Sequence, residues 1–217
     1  MSRPVTLKLL PIESYPRPEH SDPLKFYYAP IFGKMYRGRV ELCLGECTGG
    51  QRVLEVGYGS GLTFTNLQEM YDEIYGLDLD ADAGKVQQTF DAMGIPTQLT
   101  NGSVLEMPYP DGHFDTVLLI SILEHLKPEQ QVKAFEEMRR VLKPGGQVVY
   151  GVPVERRLMV VMFRLLGYNI REHHFSTEKD VARAAEQVLE KVRIIQMYGR
   201  PKMTGAVYEV GHFVKKA

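Results

Sequence analysis

Beyond residue 50 the chain alternates between two hydrophobic rhythms. Nearly continuous apolar runs occur at 52–57 (RVLEVG), 73–79 (EIYGLDL), 97–100 (TQLT), 114–120 (FDTVLLI) and 146–152 (GQVVYGV). Such runs suit strands buried on both faces of a parallel sheet. Between them, 62–71, 81–93 and 128–142 carry apolar residues at the spacing of one helix face. The last is the best marked. Pro128 suits a first turn, Val132, Phe135, Met138 and Leu142 recur at helical spacing, and Pro144-Gly145-Gly146 ends the run. This alternation predicts an α/β fold with a doubly wound, mostly parallel sheet.

The flanks read differently. Residues 1–25 hold five prolines and little periodicity, the mark of an extended arm. FYYAPIFGKMYRGRVELCLGE (26–46) turns helical, broken by Pro30 and Gly33. The expected organisation is an N-terminal arm and covering helix at 1–48, then a main domain at 49–217. That domain carries an apolar insertion at 153–176, read as a substrate segment or lid. Thr177, with Asp180 three residues on, opens a helix to about residue 190. Two strands, 192–199 and 206–214, follow around a short turn.

Composition narrows the class. Apolar residues make up 44% and charged residues 24%, which argues against disorder. A formal net charge of −1 supplies no global field for nucleic acid or an anionic membrane. Cys43 and Cys47, without His or Cys partners nearby, make a poor zinc site, and two cysteines make no disulfide framework. No apolar run approaches the ~20 residues of a spanning helix, and the first residues lack a signal-peptide core. A soluble, cytoplasmic protein is expected, with no nucleic-acid partner and with peripheral membrane contact and oligomeric state left open.

The chemistry concentrates in VLEVGYGSGLTF (53–64). A strand running into Gly57, Gly59 and Gly61 lets a ligand approach backbone at the carboxyl end of a parallel sheet. The dinucleotide fingerprint G-x-G-x-x-G would need glycine where Leu62 stands, so the spacing disfavours a pyrophosphate and a nucleotide-dependent oxidoreductase. Glu55, two residues before the first glycine, would repel a diphosphate and favour a cationic amino group; otherwise it accepts local backbone hydrogen bonds. Asp78 ends the next strand about twenty residues on, where a carboxylate can accept both ribose hydroxyls. Asp80, before Ala81-Asp82-Ala83, is read as the helix cap.

VLEVGYGSG, YGLDLD, NGSVLEMPYPDGHFDTVLLISILEHL and VLKPGGQVVYGVP, in that order, resemble the class I S-adenosylmethionine-dependent methyltransferases, in the small-molecule (type 11-like) branch. The resemblance covers roughly 50–152. It implies a Rossmann-like, seven-stranded sheet with an antiparallel last strand and S-adenosyl-L-methionine as cofactor. Carried over, Glu55, Gly57, Tyr58, Gly59 and Gly61 border the methionine part, Asp78 holds ribose, and Leu79 packs on adenine. Ser103 stands where the family has an acidic residue for the adenine amino group, with Val104 next to it offering backbone. Ser121 lies at the fourth strand's end on the same cofactor.

The resemblance implies in-line methyl displacement onto a small-molecule acceptor. Where the acceptor must lose a proton, His125 is the base candidate, its ordinary pKa being ~6.5, and Glu124 the second; a structural imidazole bonding backbone is the other reading of His125. His173 and His174, ahead of the helix after the insertion, are candidate substrate contacts, as is Tyr28. No carboxylate-rich or cysteine partner accompanies the histidine pair, so no metal is expected. The proline-rich arm and YAPIFGKMYRGR are faintly similar to lipid- and quinone-modifying members, which implies an apolar acceptor. A buried lid over any small acceptor is the alternative. A cofactor-binding sensor or partner subunit without transferase activity is the second functional reading.

Overall fold

A computed structural model describes residues 3–16, 24–30, 33–154, 175–199 and 205–216. His173, His174 and nearly all of the expected insertion lie outside the described residues. Seven strands form one sheet: β1 (Gly50–Val56), β2 (Tyr71–Asp78), β3 (Thr97–Asn101), β4 (Phe114–Ile120), β5 (Leu142–Pro153), β6 (Glu190–Tyr198) and β7 (Ala206–Val214). Their order is β3-β2-β1-β4-β5-β7-β6. Pairings among the first five are parallel, and β7 runs antiparallel to both β5 and β6. Chain order reverses beside β1, between β2 and β4. In such a sheet that is where ligands bind, beyond the strands' carboxyl ends.

The central strands are apolar throughout because alternate side chains enter two separate cores. Val53, Leu118 and Val149 face one side, where they join Val40, Cys43 and Leu44 of α2 (Gly33–Glu46), Phe64 of α3 (Phe64–Leu67) and Phe90 of α4 (Ala83–Asp91). Leu54, Val117, Leu119 and Val148 face the other, against Phe135 and Met138 of α5 (Pro128–Val141) and Val181 and Ala185 of α6 (Glu178–Val188). The arm 3–16 and α1 (Leu24–Tyr28) lie on the α2 side. Arm backbone is bonded by side chains of α2 and α3: Leu7 N–H to Glu41, Lys8 N–H to Asn66, and the Lys8 carbonyl to Thr65.

Three expectations are corrected. The helix expected over 62–71 shrinks to Phe64–Leu67, and β2 begins at Tyr71. Thr63, Thr65 and Asn66 spend their side chains on Glu55 and the arm, and the parallel ladder already runs from the Gly50–Tyr71 pairing. Asp82, not Asp80, caps α4: its carboxylate accepts from Lys85 N–H. Pro144-Gly145-Gly146 does not close a helix but forms an irregularity inside β5. Pairing begins at Leu142, directly after α5, and the register shifts between Phe114–Leu142 and Thr116–Gln147.

Candidate active site at the carboxyl edge of the sheet

The glycine loop leaves β1 beside the carboxyl end of β4. Gly57 has φ +74° and donates its N–H to the Leu77 carbonyl at 2.7 Å. A Cβ at Gly57 would stand 2.0 Å from Ile122 Cδ1, and one at Gly61 (φ +79°) 2.5 Å from the Phe90 ring. Both positions combine left-handed backbone with close neighbours, the two circumstances that favour glycine. Tyr58, between Gly57 and Gly59, turns its ring inward: it is buried beside Gly76 and Phe64, and its hydroxyl has no hydrogen-bond partner. Burial, and then the nearby Asp78 charge, push its pKa well above the usual tyrosine range.

Two carboxylates flank the loop in different states. Glu55 is buried and accepts a hydrogen bond from the Thr63 hydroxyl. Asp78 is half-buried and accepts three backbone N–H groups: Gly59 at 3.0 Å, Asp80 at 2.9 Å and Ala81 at 3.0 Å. One aspartate thus ties the glycine loop to the turn before α4. Asn101 braces the same turn, its amide donating to the Asp78 and Ala81 carbonyls. Leu79, next to Asp78, is 69% exposed, an apolar side chain held out to solvent. Farther along this edge, the Ser103 hydroxyl accepts from Leu105 N–H at 3.1 Å, and Val104 is buried.

On the other side of the loop, Ser121 follows β4 with φ +58°, a left-handed conformation rare for a residue with a side chain. Its N–H donates to Gly151, and its hydroxyl meets the Tyr208 hydroxyl at 2.9 Å. Tyr208 is fully buried, and that burial pushes its phenol far above the ordinary value. A short 3-10 turn, Leu123–His125, then sends Glu124 inward and His125 outward: Glu124 is buried and His125 exposed. The Glu124 carbonyl accepts from the N–H groups of Phe175 and Ser176, so the chain returns to this turn just before α6. The Tyr28 hydroxyl donates to the Leu10 carbonyl of the arm, while Tyr27 and Tyr36 pack edge to face at 5.6 Å.

Glu55, the glycines, Asp78 and Ser121 therefore converge at one edge. Thr63, Asn101 and Tyr208 join the site without a signal in the sequence. Thr63 and Asn101 act on local backbone and carboxylates, in patterns shared with many loop residues. Tyr208 meets Ser121 only through tertiary packing, which no spacing announces. His212 of β7 is buried against Glu46 at the end of α2.

Residues 54–150 match the methyltransferase domain family. The ajmaline N-methyltransferase of Rauvolfia serpentina is 34% identical over 112 residues, 50% of this chain and 38% of that enzyme. The ubiquinone biosynthesis O-methyltransferase of Azoarcus sp. (strain BH72) is 30% identical over 134 residues, 59% of this chain and 55% of that enzyme. The chain thus spans only about half the length of these curated relatives, or less. Geranyl diphosphate C-methyltransferase from Streptomyces coelicolor A3(2), solved with Mg2+, geranyl diphosphate and S-adenosyl-L-homocysteine, shares the fold. Its TM-score is 0.70 at 14% identity, covering 97% of this chain and 90% of that one.

Proposed function

We propose that this chain, whose residues 54–150 belong to the methyltransferase domain family, binds S-adenosyl-L-methionine at the carboxyl edge of β1 and β2 and passes its methyl group to a small-molecule acceptor. The observation that carries this reading is the glycine loop tied to Asp78. At Gly57 and Gly61 the backbone packs directly on Ile122 and Phe90, which fixes the turn of the loop at the end of β1. The exposed Leu79 beside a carboxylate suits a nucleoside, with adenine on the apolar side chain and ribose on the acid. Asp78 already accepts three N–H groups, about three of its roughly four lone-pair sites. Taking both ribose hydroxyls therefore loosens one of those bonds, and the Gly59 bond is the one facing the loop. Tyr58 contributes backbone, since its ring is buried. Glu55, held by Thr63, supplies negative charge for an ammonium group.

The sulfonium supplies an already activated methyl group, so the protein's task is chiefly alignment. Once bound, the sulfonium would give its methyl carbon to the acceptor's lone pair and keep the carbon–sulfur electron pair, with Glu55, Asp78 and the glycine loop as the residues that would hold it. An acceptor proton leaves to solvent or to a group at the end of β4, where Glu124 and His125 stand. The relatives act at nitrogen, oxygen and carbon, so we leave the atom open and assign an apolar body to the acceptor on the aromatic surface of α1 and α2. A binder without transferase activity is the second reading. It draws on Ser103, whose hydroxyl is already engaged by Leu105.

Calorimetry tests the lead reading. S-adenosylmethionine and S-adenosylhomocysteine should bind in the micromolar range, about −8 kcal/mol, and NAD(H) should not; the reverse result removes the proposal. Cofactor binding with no radioactive methyl incorporation into any fraction of a small-molecule extract would favour the second reading. His125→Ala should lower turnover with cofactor affinity intact. Unchanged turnover would leave His125 a surface residue.

A further inference from the structure

A chain of contacts leads from the donor loop to an unused cation. Gly57 packs against Ile122, Ser121 beside it meets the Tyr208 hydroxyl, and Arg39 of α2 lies over the Tyr208 ring, its Cζ 5.3 Å from the centroid. Arg39 stacks more closely on Tyr36, at 4.0 Å. Tyr36 in turn stacks on Phe26 at 5.1 Å with an interplanar angle of 18°. Phe26 is 48% exposed, so this aromatic wall opens to solvent.

Arg39 differs from arginines with assigned work. Arg52, Arg140 and Arg193 each hold a carboxylate; Arg39 forms no ion pair with any described residue, and its Nε is buried without a hydrogen-bond partner. Ring contacts offset part of the cost of a half-buried cation, but they occupy none of its five N–H donors. A planar, charged fork with idle donors, braced by aromatic rings, matches a bidentate oxyanion.

We propose that Arg39 is the anion-recognising residue of the acceptor site, and that the acceptor carries a carboxylate or phosphate on a flat apolar body. The anion sits on the Arg39 fork and the body lies along Tyr36 and Phe26. Contacts through Tyr208 and Ser121 join this anchor to the end of β4, the edge to which the proposal assigns the far end of such a molecule. Glu124, whose charge also acts on Tyr208, keeps the anionic end from being the one that enters there. This inference rests on the methyltransferase reading only for what happens at that far end; anion recognition itself stands on Arg39.

The test uses matched probes titrated by calorimetry into the full chain saturated with S-adenosylhomocysteine: 2-naphthoate against 2-naphthamide, and 2-naphthyl phosphate against 2-naphthol. At least one anion should bind about tenfold tighter than its neutral mate, and which pair does so separates carboxylate from phosphate recognition. Arg39→Gln should erase that preference while S-adenosylhomocysteine affinity is kept, and Arg39→Lys, which preserves the charge without the fork, should retain part of it. If neither anion is preferred, or if the preference survives in Arg39→Gln, the proposal is overturned. Should S-adenosylhomocysteine itself fail to bind, the methyltransferase reading falls, and the same titrations on the protein alone still judge Arg39.

Discussion

The two sides of the switch point are built from different materials. On the β1–β2–β3 side, the loop is held by backbone groups and one aspartate, all within the segment from Val53 to Val104. On the β4–β5–β7 side, the contacts join side chains far apart in sequence: Ser121 with Tyr208, Glu46 with Arg193, Glu46 with His212. The first side resembles a mould, whose shape comes from glycines and turns. The second is a clasp between α2, the turn after β4 and the terminal hairpin. Damage to the mould should cost ligand affinity, and damage to the clasp should cost stability.

The largest effect is expected in the clasp. The Glu46 side chain is wholly buried at the end of α2 and bonds Arg193 through both Oε atoms and His212 through Nδ1. Removing one partner of a buried ion pair leaves the other charge stranded, typically at 3–5 kcal/mol. Arg193 is 36% exposed and can rehydrate, so Glu46→Ala should cost about 3 kcal/mol. Urea unfolding measures it. S-adenosylhomocysteine affinity of the protein that remains folded should stay near wild type. A large affinity loss there would show that the two sides are one cooperative unit.

Asp78→Ala should give the opposite pattern. Losing a charged acceptor for two hydroxyls should weaken cofactor binding about 100-fold, while urea midpoints should move less than in Glu46→Ala, because Asp78 is only half-buried and the Asp80 N–H is exposed. Gly59→Val should act in the same direction, since Gly59 has φ +53°. Wild-type affinity in both variants would remove the ribose and loop assignments.

This contrast also explains what could be read from the sequence. The sheet was legible because each strand is an apolar run between turn residues, and the donor side because VLEVGYGSG and YGLDLD carry its geometry locally. The helix expected at 62–71 misled because Leu62, Leu67 and Met70 keep a helix-like spacing, while Thr63, Thr65 and Asn66 are engaged by Glu55 and the arm. Asp80 and Asp82 both precede α4, and only the bond to Lys85 N–H distinguishes the cap. Tyr208 and Arg39 lie in ordinary strand and helix patterns; nothing about either residue tells which rings and hydroxyls it will meet.

Tyr208→Phe probes the clasp more gently. It deletes one hydroxyl, whose partner Ser121 sits in a strained conformation at the site. The stability cost should be about 1 kcal/mol. If the pair positions the acceptor, KM for the acceptor should rise with cofactor affinity unchanged. A variant that loses stability alone would assign Tyr208 to the scaffold.

The smallest effect concerns pH and separates the clasp from the mould once more. Burial lowers the His212 pKa below the ordinary 6.5, with Arg193 adding to the shift and Glu46 opposing it. The folded state therefore favours neutral imidazole, and the unfolded chain takes up the proton first as pH falls. Stability is fully present above the unfolded value of 6.5 and declines as pH drops through and below it, the direction opposite to that for a histidine stabilised by protonation. His212→Gln, which keeps a polar group beside Glu46, should flatten this slope between about pH 7.5 and pH 5. Thermal midpoints across that range provide the measurement. If the variant loses stability with acid as steeply as the wild type, the slope belongs to other groups that take up protons in that range.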